Sequence, residues 1–247
     1  MAPKSGRADD ECEDAAQAAM LRAPWPEQEL EIPVRVAIAD GATESLLGGQ
    51  WAGLLCHHFC ADPVGAGLSD ALAAARRGWP QHLVDFRRRH GEDGLSWLEE
   101  GALARGTFAT VVGMELVEGS VRAWAVGDSC LLVRRGPRLR ASFPVTSAQE
   151  LSSFPDLVRA EGAIDLSDLP TLNTWEGRVE AGDVLYLVTD AVAGWALATR
   201  EAGEDPLGAL DRSVDGGRAG MSAWLERERR DGRMKDDDST IVRVAVH

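Results

Sequence analysis

Two apolar segments of the sequence each end at an aspartate, and this pattern most constrains the fold. Over residues 34–38 apolar side chains recur with a period of two, and Asp40 follows in the same phase. Gly41 then allows the backbone to turn sharply. Residues 184–188 repeat the pattern, and Asp190 closes that run. We therefore predict two strands that each carry a carboxylate at the point where the apolar run ends.

A third acidic group precedes the last apolar segment of the chain. Residues 236–238 are all aspartate, and residues 239–246 alternate like a strand. The three acidic groups are far apart in the sequence, yet each stands at the end of a predicted strand. This arrangement suggests that they form one shared site.

Composition and charge narrow the class of protein. The chain has 247 residues, of which 45% are hydrophobic and 27% charged, so we expect one soluble globular domain over residues 1–247, with residues 1–10 flexible. The 40 acidic residues outnumber the 26 lysine and arginine residues. This balance argues against nucleic acid or an anionic membrane as a partner, since both attract cationic surfaces.

We expect neither a secretory signal peptide nor a membrane-spanning helix. The first residues of the chain lack the apolar core of a signal peptide, and no window approaches the roughly 20 apolar residues of a membrane-spanning helix. The four cysteines do not have the spacing of a disulfide framework. We therefore expect a cytoplasmic protein with reduced thiols. The group Cys56, His57, His58 and Cys60 could suggest zinc, but further ligands at compatible spacing are missing, so a helix core is favoured.

The order of predicted elements indicates an α+β fold in which stacked antiparallel sheets are flanked by helices. Glu118 and Gly119 mark a hairpin. Predicted strands cover residues 32–40, 107–117, 120–134, 139–143, 184–189 and 239–246. Predicted helices follow Ser45 up to Asp62 and cover residues 69–78, 81–90, 95–106, 147–160, 191–202 and 216–230. Residues 15–21 fit a strand or a short helix, and residues 164–176 read as a loop.

Several short segments, taken in order, resemble the motifs of the metal-dependent Ser/Thr protein phosphatases of the 2C type. Each segment has only three to six residues, but their order, spacing and strand context make the set specific, and together they span nearly the whole chain. The matching segments are Glu13-Asp14-Ala15, Val36 to Gly41, Gly127-Asp128-Ser129, Val188-Thr189-Asp190 and Asp237-Asp238-Ser239-Thr240.

The resemblance implies a four-layer α-β-β-α sandwich of two antiparallel sheets and a centre for two Mn²⁺ or Mg²⁺ ions. It implies that Asp40 bridges both ions and that Asp190 and Asp237 complete the first, which makes these three the catalytic aspartates. It assigns the second ion to the Gly41 carbonyl. The acidic pair formed by Glu13 and Asp14 would lie near that second ion, partly through water.

The implied function is hydrolysis of phosphoserine and phosphothreonine monoesters on proteins by a hydroxide that bridges the metals. The chemistry is consistent with the residue types, because Mg²⁺ and Mn²⁺ prefer oxygen ligands and carboxylates supply the compensating charge. Two adjacent ions can lower the pKa of a shared water and also bind phosphoryl oxygens. Such an enzyme needs no protein nucleophile.

The sequence departs from the family pattern next to the metal motifs. Ala42 and Thr43 follow Asp40-Gly41 where many members have histidine, so the implied general acid is missing. The position of the phosphate-binding arginine is taken by Asp9, for which Lys4 and Arg7 are only loose substitutes. Ala191 replaces a glycine, and Asp238 replaces an asparagine.

Simpler interpretations remain open beside the phosphatase. Asp40-Gly41 is also typical of a turn, Asp190 of a helix cap, and residues 236–238 of a solvated charge run. Asp128 favours a structural role in the hairpin. A catalytically weak relative that regulates or binds a phosphoprotein, or a phosphatase for a small metabolite, are the alternative functions. Residues 62–94 and 160–176 are the expected carriers of substrate specificity.

Overall fold

A computed structural model describes residues 1–8, 11–20, 33–90, 94–151, 155–164, 167 and 169–247. The strands are β1 Asp14–Met20, β2 Val34–Gly41, β3 Phe108–Val117, β4 Ser120–Val126, β5 Cys130–Arg135, β6 Arg138–Phe143, β7 Val158–Arg159, β8 Asn173–Arg178, β9 Asp183–Val188 and β10 Ile241–Ala245. The helices are α1 Gly48–Ala61, α2 Leu68–Arg89, α3 Trp97–Arg105, α4 Asp190–Glu201, α5 Pro206–Asp215 and α6 Gly217–Arg230.

The strands form two antiparallel sheets. The first has the order β1-β2-β3-β4-β8, with β7 paired to β3, and the second has the order β10-β9-β5-β6. Register in the first sheet sets Asp14 opposite Asp40, and Asp40 opposite Thr110. In the second sheet Val188, the last residue of β9, pairs with Ile241 on one side and Cys130 on the other. Asp40 thus has a defined position in a ladder, and Asp190 lies two residues beyond the last paired residue of β9.

The central strands are buried on both faces because the sheets stack on each other and helices cover their outer sides. Val36 and Ile38 of β2 pack with Leu185 and Leu187 of β9 between the sheets. The alternate residues of the same strands face the helices, as Ala37 does beneath α1. This confirms the predicted four-layer α-β-β-α arrangement.

Each outer layer rests on its own core. On the first sheet, α1 and α2 bury Trp51, Leu55 and Trp79. On the second sheet, α4 to α6 bury Trp195 and Trp224 against β5 and β9. These four tryptophans serve the helix–sheet contacts, since large aromatic side chains fill the wide space between these layers. In the described part of the chain, no helix has both the length and the apolar character needed to cross a bilayer.

The predicted strand over residues 120–134 is wrong, because the chain changes sheet within it. β4 ends at Val126 and belongs to the first sheet, whereas β5 begins at Cys130 in the second. Gly127 makes the crossing with φ of 95°, and a Cβ there would lie 2.6 Å from the Thr110 side chain. Periodicity cannot reveal this break, since both halves are apolar and strand-like.

Three helix predictions also differ from the structure. The helix predicted over residues 147–160 is wrong: a short 3₁₀ turn, Ala148–Glu150, and the strand β7 lie there, while residues 152–154 are outside the described residues. α2 continues through Pro80, because burial of Leu72, Trp79 and Phe86 outweighs the roughly 3 kcal/mol cost of an interior proline. The predicted break near residue 80 is therefore wrong.

Ser45 does not cap α1, which begins at Gly48. Its Oγ instead accepts a hydrogen bond from the Phe108 backbone N–H at 3.1 Å. Two elements were missed: β8, within a segment predicted as mostly loop, and α5. The sequence did signal α5, because the Asp205 side chain accepts the N–H groups of Leu207 and Gly208 and a proline follows it at the first helical position.

The N-terminal residues are hydrogen-bonded to the segment that precedes β10. Ala2 and Ser239 exchange two backbone hydrogen bonds of 2.9 Å, and the Lys4 N–H donates to Asp238 Oδ1 at 2.8 Å. The expectation that residues 1–10 are flexible stays a prediction. Residues 15–20, open between strand and helix in the sequence, belong to β1.

Candidate functional site

One end of the sandwich brings the predicted aspartates together. Asp14 begins β1, Asp40 lies one residue before the end of β2, and Asp190 begins α4 directly after β9. Burial, followed by the negative charges of Asp14, Asp190 and Asp237, raises the pKa of Asp40 well above its ordinary value. Four carboxyl groups from distant parts of the chain therefore act on one another electrostatically. We call them, together with Glu13 and Asp128, the acidic cluster.

Asp14 is the most deeply buried member of the acidic cluster, with 6% of its surface exposed. Its Oδ2 accepts hydrogen bonds from the hydroxyls of Thr240 at 2.7 Å and Thr189 at 3.2 Å. Its Oδ1 is buried and has no hydrogen-bond partner among the described residues. Burial, opposed by the Thr240 hydrogen bond and assisted by the charge of Asp238, raises the pKa of Asp14 to about 7. An unsatisfied oxygen in this position is suited to a cation.

Glu13 lies beside Asp14 but is held differently. Its backbone N–H donates to Asp238 Oδ2 at 2.7 Å, which sets the direction of the chain entering β1. Its Oε2 is also buried without a hydrogen bond, and the Lys4 ammonium lies 3.6 Å away. Burial raises the pKa of Glu13, while the charge of Lys4 lowers it. Two carboxylate oxygens on adjacent residues thus lack hydrogen-bond donors.

Gly41 is required by space. Its N–H donates to the Glu13 carbonyl at 3.1 Å, and the backbone of Gly48 at the start of α1 packs directly against it. A Cβ at residue 41 would lie 2.3 Å from the Gly48 carbonyl carbon. Gly41 therefore allows α1 to begin next to Glu13 and the end of β2. The sharp turn predicted from its conformational freedom is not the main reason for this glycine.

Asp190 and Asp237 form the other side of the acidic cluster and share one lysine. The Lys235 ammonium is 2.9 Å from Asp190 Oδ2 and 2.7 Å from Asp237 Oδ2. Burial lowers the pKa of Lys235, but its hydrogen bonds with Asp237 and Asp190 outweigh this and raise the pKa above its ordinary value. The remaining oxygen Asp190 Oδ1 accepts the Ala191 N–H at 2.6 Å. The two carboxylates predicted to complete the first metal site thus share a single positive charge, which offsets half of their negative charge.

The segment that carries Asp237 is fixed by backbone contacts. Asp238 is buried and accepts the N–H groups of Lys4 and Glu13 with its two oxygens, so it joins the N-terminal residues to this segment. The Arg229 guanidinium donates to the Asp237 carbonyl and, at 3.0 Å, to Ser239 Oγ. Asp238 therefore has a structural role, and Arg229 positions Asp237 from α6.

Asp128 is a member of the acidic cluster that sequence reasoning treated as structural. Burial, followed by the charge of Asp190, raises the pKa of its carboxyl to about 7. The residue lies where the chain crosses between the sheets, and neighbouring Ser129 shares a 3.0 Å hydrogen bond with Thr110. The resemblance of Gly127-Asp128-Ser129 to a family motif could have indicated a role for Asp128 in the site. The motif was instead included in the strand predicted over residues 120–134.

The departures from the family pattern are visible in the structure. Ala42 follows Gly41 at the end of β2 and donates its N–H to the Phe108 carbonyl at 2.9 Å. Arg7 pairs with Glu11 at 3.8 Å, and Asp9 lies outside the described residues. Cys56 and Cys60 direct their thiols to the carbonyls of β1 at 3.7 and 3.3 Å. These thiols are part of the α1–β1 packing, as the helix-core interpretation predicts.

The acidic cluster is not arranged as a finished ligand set. Within the described ranges, no three His, Cys, Asp or Glu side chains are placed so that they could hold one metal ion. The donor chemistry nevertheless fits a hard divalent cation, because the groups are carboxylates and two of their buried oxygens lack hydrogen-bond partners. Carboxylates repel one another, so their approach to a common ligand position needs a cation between them.

No family model matches the sequence, and no curated protein sequence matches it. Solved structures do match over nearly the whole chain. The serine/threonine phosphatase Stp1 from Staphylococcus aureus aligns with a TM-score of 0.61 and 14% identity over 99% of this chain and 93% of that one. The fold is that of the 2C-type phosphatases.

Two further structures share the 2C fold. The S. agalactiae serine/threonine phosphatase aligns with a TM-score of 0.57 and 14% identity over 100% of this chain and 98% of that one. The catalytic domain of the phosphatase PstP, described in complex with two manganese ions, aligns with a TM-score of 0.50 and 14% identity over 95% and 99%. At these identities the likeness establishes the fold, and the chemistry rests on the residues of the acidic cluster.

Proposed function

We propose that this protein is a phosphatase that uses two divalent cations, Mn²⁺ or Mg²⁺, to hydrolyse phosphoserine and phosphothreonine monoesters on proteins. The observation that carries the proposal is the buried Asp14 Oδ1, which lacks a hydrogen-bond partner within a group of mutually repelling carboxylates. The choice of phosphoprotein substrate is supported by the likeness to solved serine/threonine phosphatases.

Each residue of the acidic cluster would have a distinct part. Asp40 lies between Asp14 and Thr110 in the first sheet, which suits it to contact both cations. Asp190 and Asp237 would hold the first cation, and the Gly41 carbonyl, with Glu13 and Asp14, the second. When bound, divalent cations supply positive charge for the phosphoryl oxygens and lower the pKa of water.

The protein itself orients these groups. Thr189 and Thr240 hold Asp14 through Oδ2 and leave Oδ1 available, while Arg229 holds the backbone at Asp237. Ala42 has no proton to give, so the leaving alkoxide would take its proton from solvent. We therefore expect slower turnover than in 2C-type phosphatases with a histidine at this position, because a positioned general acid typically raises the rate 10²–10⁴-fold.

Release of inorganic phosphate from a panel of phosphoserine and phosphothreonine peptides, with and without Mn²⁺, tests the proposal. We expect release only with Mn²⁺, and we expect Asp190→Asn to abolish it. Asp231→Asn, an exposed residue after α6, is the matched control and should retain activity. Equal phosphate release by wild type and Asp190→Asn would refute the catalytic role.

A second candidate function is a catalytically weak protein that keeps the 2C fold and binds or regulates a phosphoprotein. Two observations favour it: Ala42 replaces the proton donor, and Lys235 pairs with both carboxylates of the first cation site. Binding of a phosphopeptide with no phosphate release at saturating Mn²⁺ would support this candidate over the enzyme.

A further inference from the structure

Lysine is almost absent from this protein. Of the 26 lysine and arginine residues, only Lys4 and Lys235 are lysines, and they lie 231 positions apart in the sequence. Both reach the acidic cluster. Lys235 bridges Asp190 and Asp237, and the Lys4 ammonium lies 3.6 Å from Glu13 Oε2 and 3.9 Å from Asp237 Oδ1. The ion pairs elsewhere in the described chain are formed mainly by arginine.

The chemical difference between the two side chains makes this placement informative. An arginine guanidinium is planar and binds one carboxylate with two parallel hydrogen bonds, as Arg135 does with Asp183. A lysine ammonium is a compact point charge on a flexible stem. Of the basic side chains, the ammonium is therefore the closest in shape and charge distribution to a small cation held between two carboxylates.

The position of Lys235 also permits its removal. Its side chain is 60% exposed, whereas Asp190 and Asp237 are only 15% and 22% exposed. The ammonium thus reaches the two half-buried carboxylates from the solvent side. Rotation of the exposed stem moves the charge into water without disturbing the core, while the carboxylates stay in place because β9, α4 and Arg229 hold their backbone.

We propose that Lys235 is a tethered counter-cation that offsets one of the two negative charges of Asp190 and Asp237 in the metal-free protein and is displaced when a divalent cation binds there. The inference rests on the proposed function, because it concerns the first cation site of that function. The intramolecular ammonium competes with the metal, so the affinity for the first cation is lower than the carboxylates alone would provide.

Lys4 has a weaker effect of the same kind. Its distances to the carboxylate oxygens are 3.6 and 3.9 Å, longer than those of Lys235, and its ammonium also donates to Thr43 Oγ1 at 3.4 Å. Its positive charge partly offsets the negative charges of Glu13 and Asp237, but at longer distances than Lys235 has to its own two partners. The two lysines therefore predict a graded response to their removal.

Calorimetric titration of the full chain with MnCl₂ alone tests this inference. Lys235→Met keeps the length of the side chain and removes its charge, and we expect Mn²⁺ to bind about tenfold more tightly, as expected for the loss of a charge-assisted competitor. Lys4→Met should bind about two- to threefold more tightly. Arg230→Met removes one exposed positive charge from the nearby end of α6 and should leave the affinity unchanged.

The outcomes separate this inference from the proposed function. Equal Mn²⁺ affinity in Lys235→Met and wild type, with metal-dependent phosphate release intact, overturns the tethered counter-cation alone. Tighter binding by Lys235→Met without phosphate release from any variant supports the inference and overturns the phosphatase. The same gain in Arg230→Met would show a general effect of net charge and overturn the inference. Absence of Mn²⁺ binding in every variant overturns both.

A second measurement reads the displacement directly and requires no activity. Because the chain has only two lysines, a mass-spectrometric experiment with an amine-acylating reagent resolves Lys235 from Lys4 and from the N-terminal amine without ambiguity. We expect acylation of Lys235 to become several-fold faster when Mn²⁺ is saturating, since the ammonium then leaves its two carboxylates. An unchanged rate in protein shown by calorimetry to bind Mn²⁺ would overturn the inference.

Discussion

The two sides of the acidic cluster differ in whether a positive side chain compensates their carboxylates. On the first sheet, the buried Asp14 and the partly buried Asp40 are ladder partners, and no lysine or arginine in the described part of the chain forms an ion pair with either. Beside the second sheet, Asp190 and Asp237 are partly exposed and share the ammonium of Lys235. The carboxylates of the first side therefore repel one another without a counter-charge, whereas those of the second side have a lysine ammonium between them.

Outside the acidic cluster, the buried carboxylate of Glu115 is compensated by arginine side chains. Glu115 is 1% exposed and is paired with Arg35 at 2.5 Å and Arg122 at 2.9 Å. Removing one partner from such a buried pair leaves an uncompensated charge and is strongly destabilising. Asp14 and Asp40 have no equivalent cationic partner among the described residues, so their proximity is unfavourable, and the proposed cation would offset it. This difference marks the first side as the part of the cluster that depends most on a ligand.

The largest effect is expected for Asp40→Asn, which removes the central charge of the first side. We expect phosphate release to fall by about a thousandfold, because the residue proposed to contact both cations loses its negative charge. The metal-free protein should at the same time become more resistant to denaturant, since the repulsion with Asp14 and Asp190 is relieved. Asp85→Asn, an exposed change on α2, is the control. Wild-type turnover in Asp40→Asn would refute the proposed role.

The second prediction concerns the pH dependence of stability in the absence of metal. Burial raises the pKa of Asp14 from its ordinary value of 3.8 to about 7, so the folded chain binds more protons than the unfolded chain between these values. The free energy of unfolding should therefore be greatest below about pH 4 with respect to this group and fall by about 1.4 kcal/mol per pH unit as the pH rises towards 7. Urea titrations between pH 4 and 7 measure the slope.

Asp14→Asn isolates the contribution of this group. We expect the variant to lose that part of the slope, and Asp231→Asn to retain it. Saturating Mn²⁺ should also reduce the slope in wild type, because a bound cation stabilises the ionised carboxyl. A slope in Asp14→Asn equal to that of wild type would contradict the assignment.

The third prediction addresses the hydroxyls that hold Asp14. Thr240→Val keeps the shape of the side chain and removes the 2.7 Å hydrogen bond to Asp14 Oδ2. The buried carboxyl then depends on the longer bond from Thr189, so we expect a loss of about 1–2 kcal/mol in the free energy of unfolding. Thr146→Val removes an exposed hydroxyl bonded to Glu150 and should cost less than half as much. Equal losses in both variants would show that burial does not govern the effect.

The smallest effect is expected for Lys235→Met in the metal-free protein, where it makes the second side resemble the first. Asp190 and Asp237 lose their shared partner, but the lysine is 60% exposed, so the free energy of unfolding should fall by only about 0.5 kcal/mol. Denaturant titration with and without Mn²⁺ is the measurement. The loss should disappear in saturating Mn²⁺, and its persistence there would mean that Lys235 supports the fold itself.

Part of the candidate site could be predicted from local pattern. Asp40 and Asp190 were found because apolar alternation ends at each of them, and the structure places both at the same end of the sandwich. Their common phase was a weaker guide. Val36 and Ile38 face the space between the sheets, whereas Tyr186 and Val188 face α4, because both strands are buried on both sides. Their metal-binding roles stay a prediction.

Other features had no local signal. Lys235 reads as one exposed charge beside three aspartates, and only the approach of α4 to the segment before β10 places its ammonium between Asp190 and Asp237. Asp128 became part of the acidic cluster because the chain crosses from one sheet to the other at Gly127. Neither the crossing at Gly127 nor the approach of α4 to the segment before β10 changes the periodic pattern of apolar residues, so the sequence does not reveal them.

The sequence by itself determined the fold class, most of the strands and helices, and the positions where apolar strands end in carboxylates, because side-chain alternation records which local surfaces must be buried. Tertiary structure alone decided which sheet each strand joins, which carboxylates face one another without a counter-charge, and which pair receives a lysine. These are properties of long-range contacts, and the energy of a charge depends on what the rest of the chain brings near it.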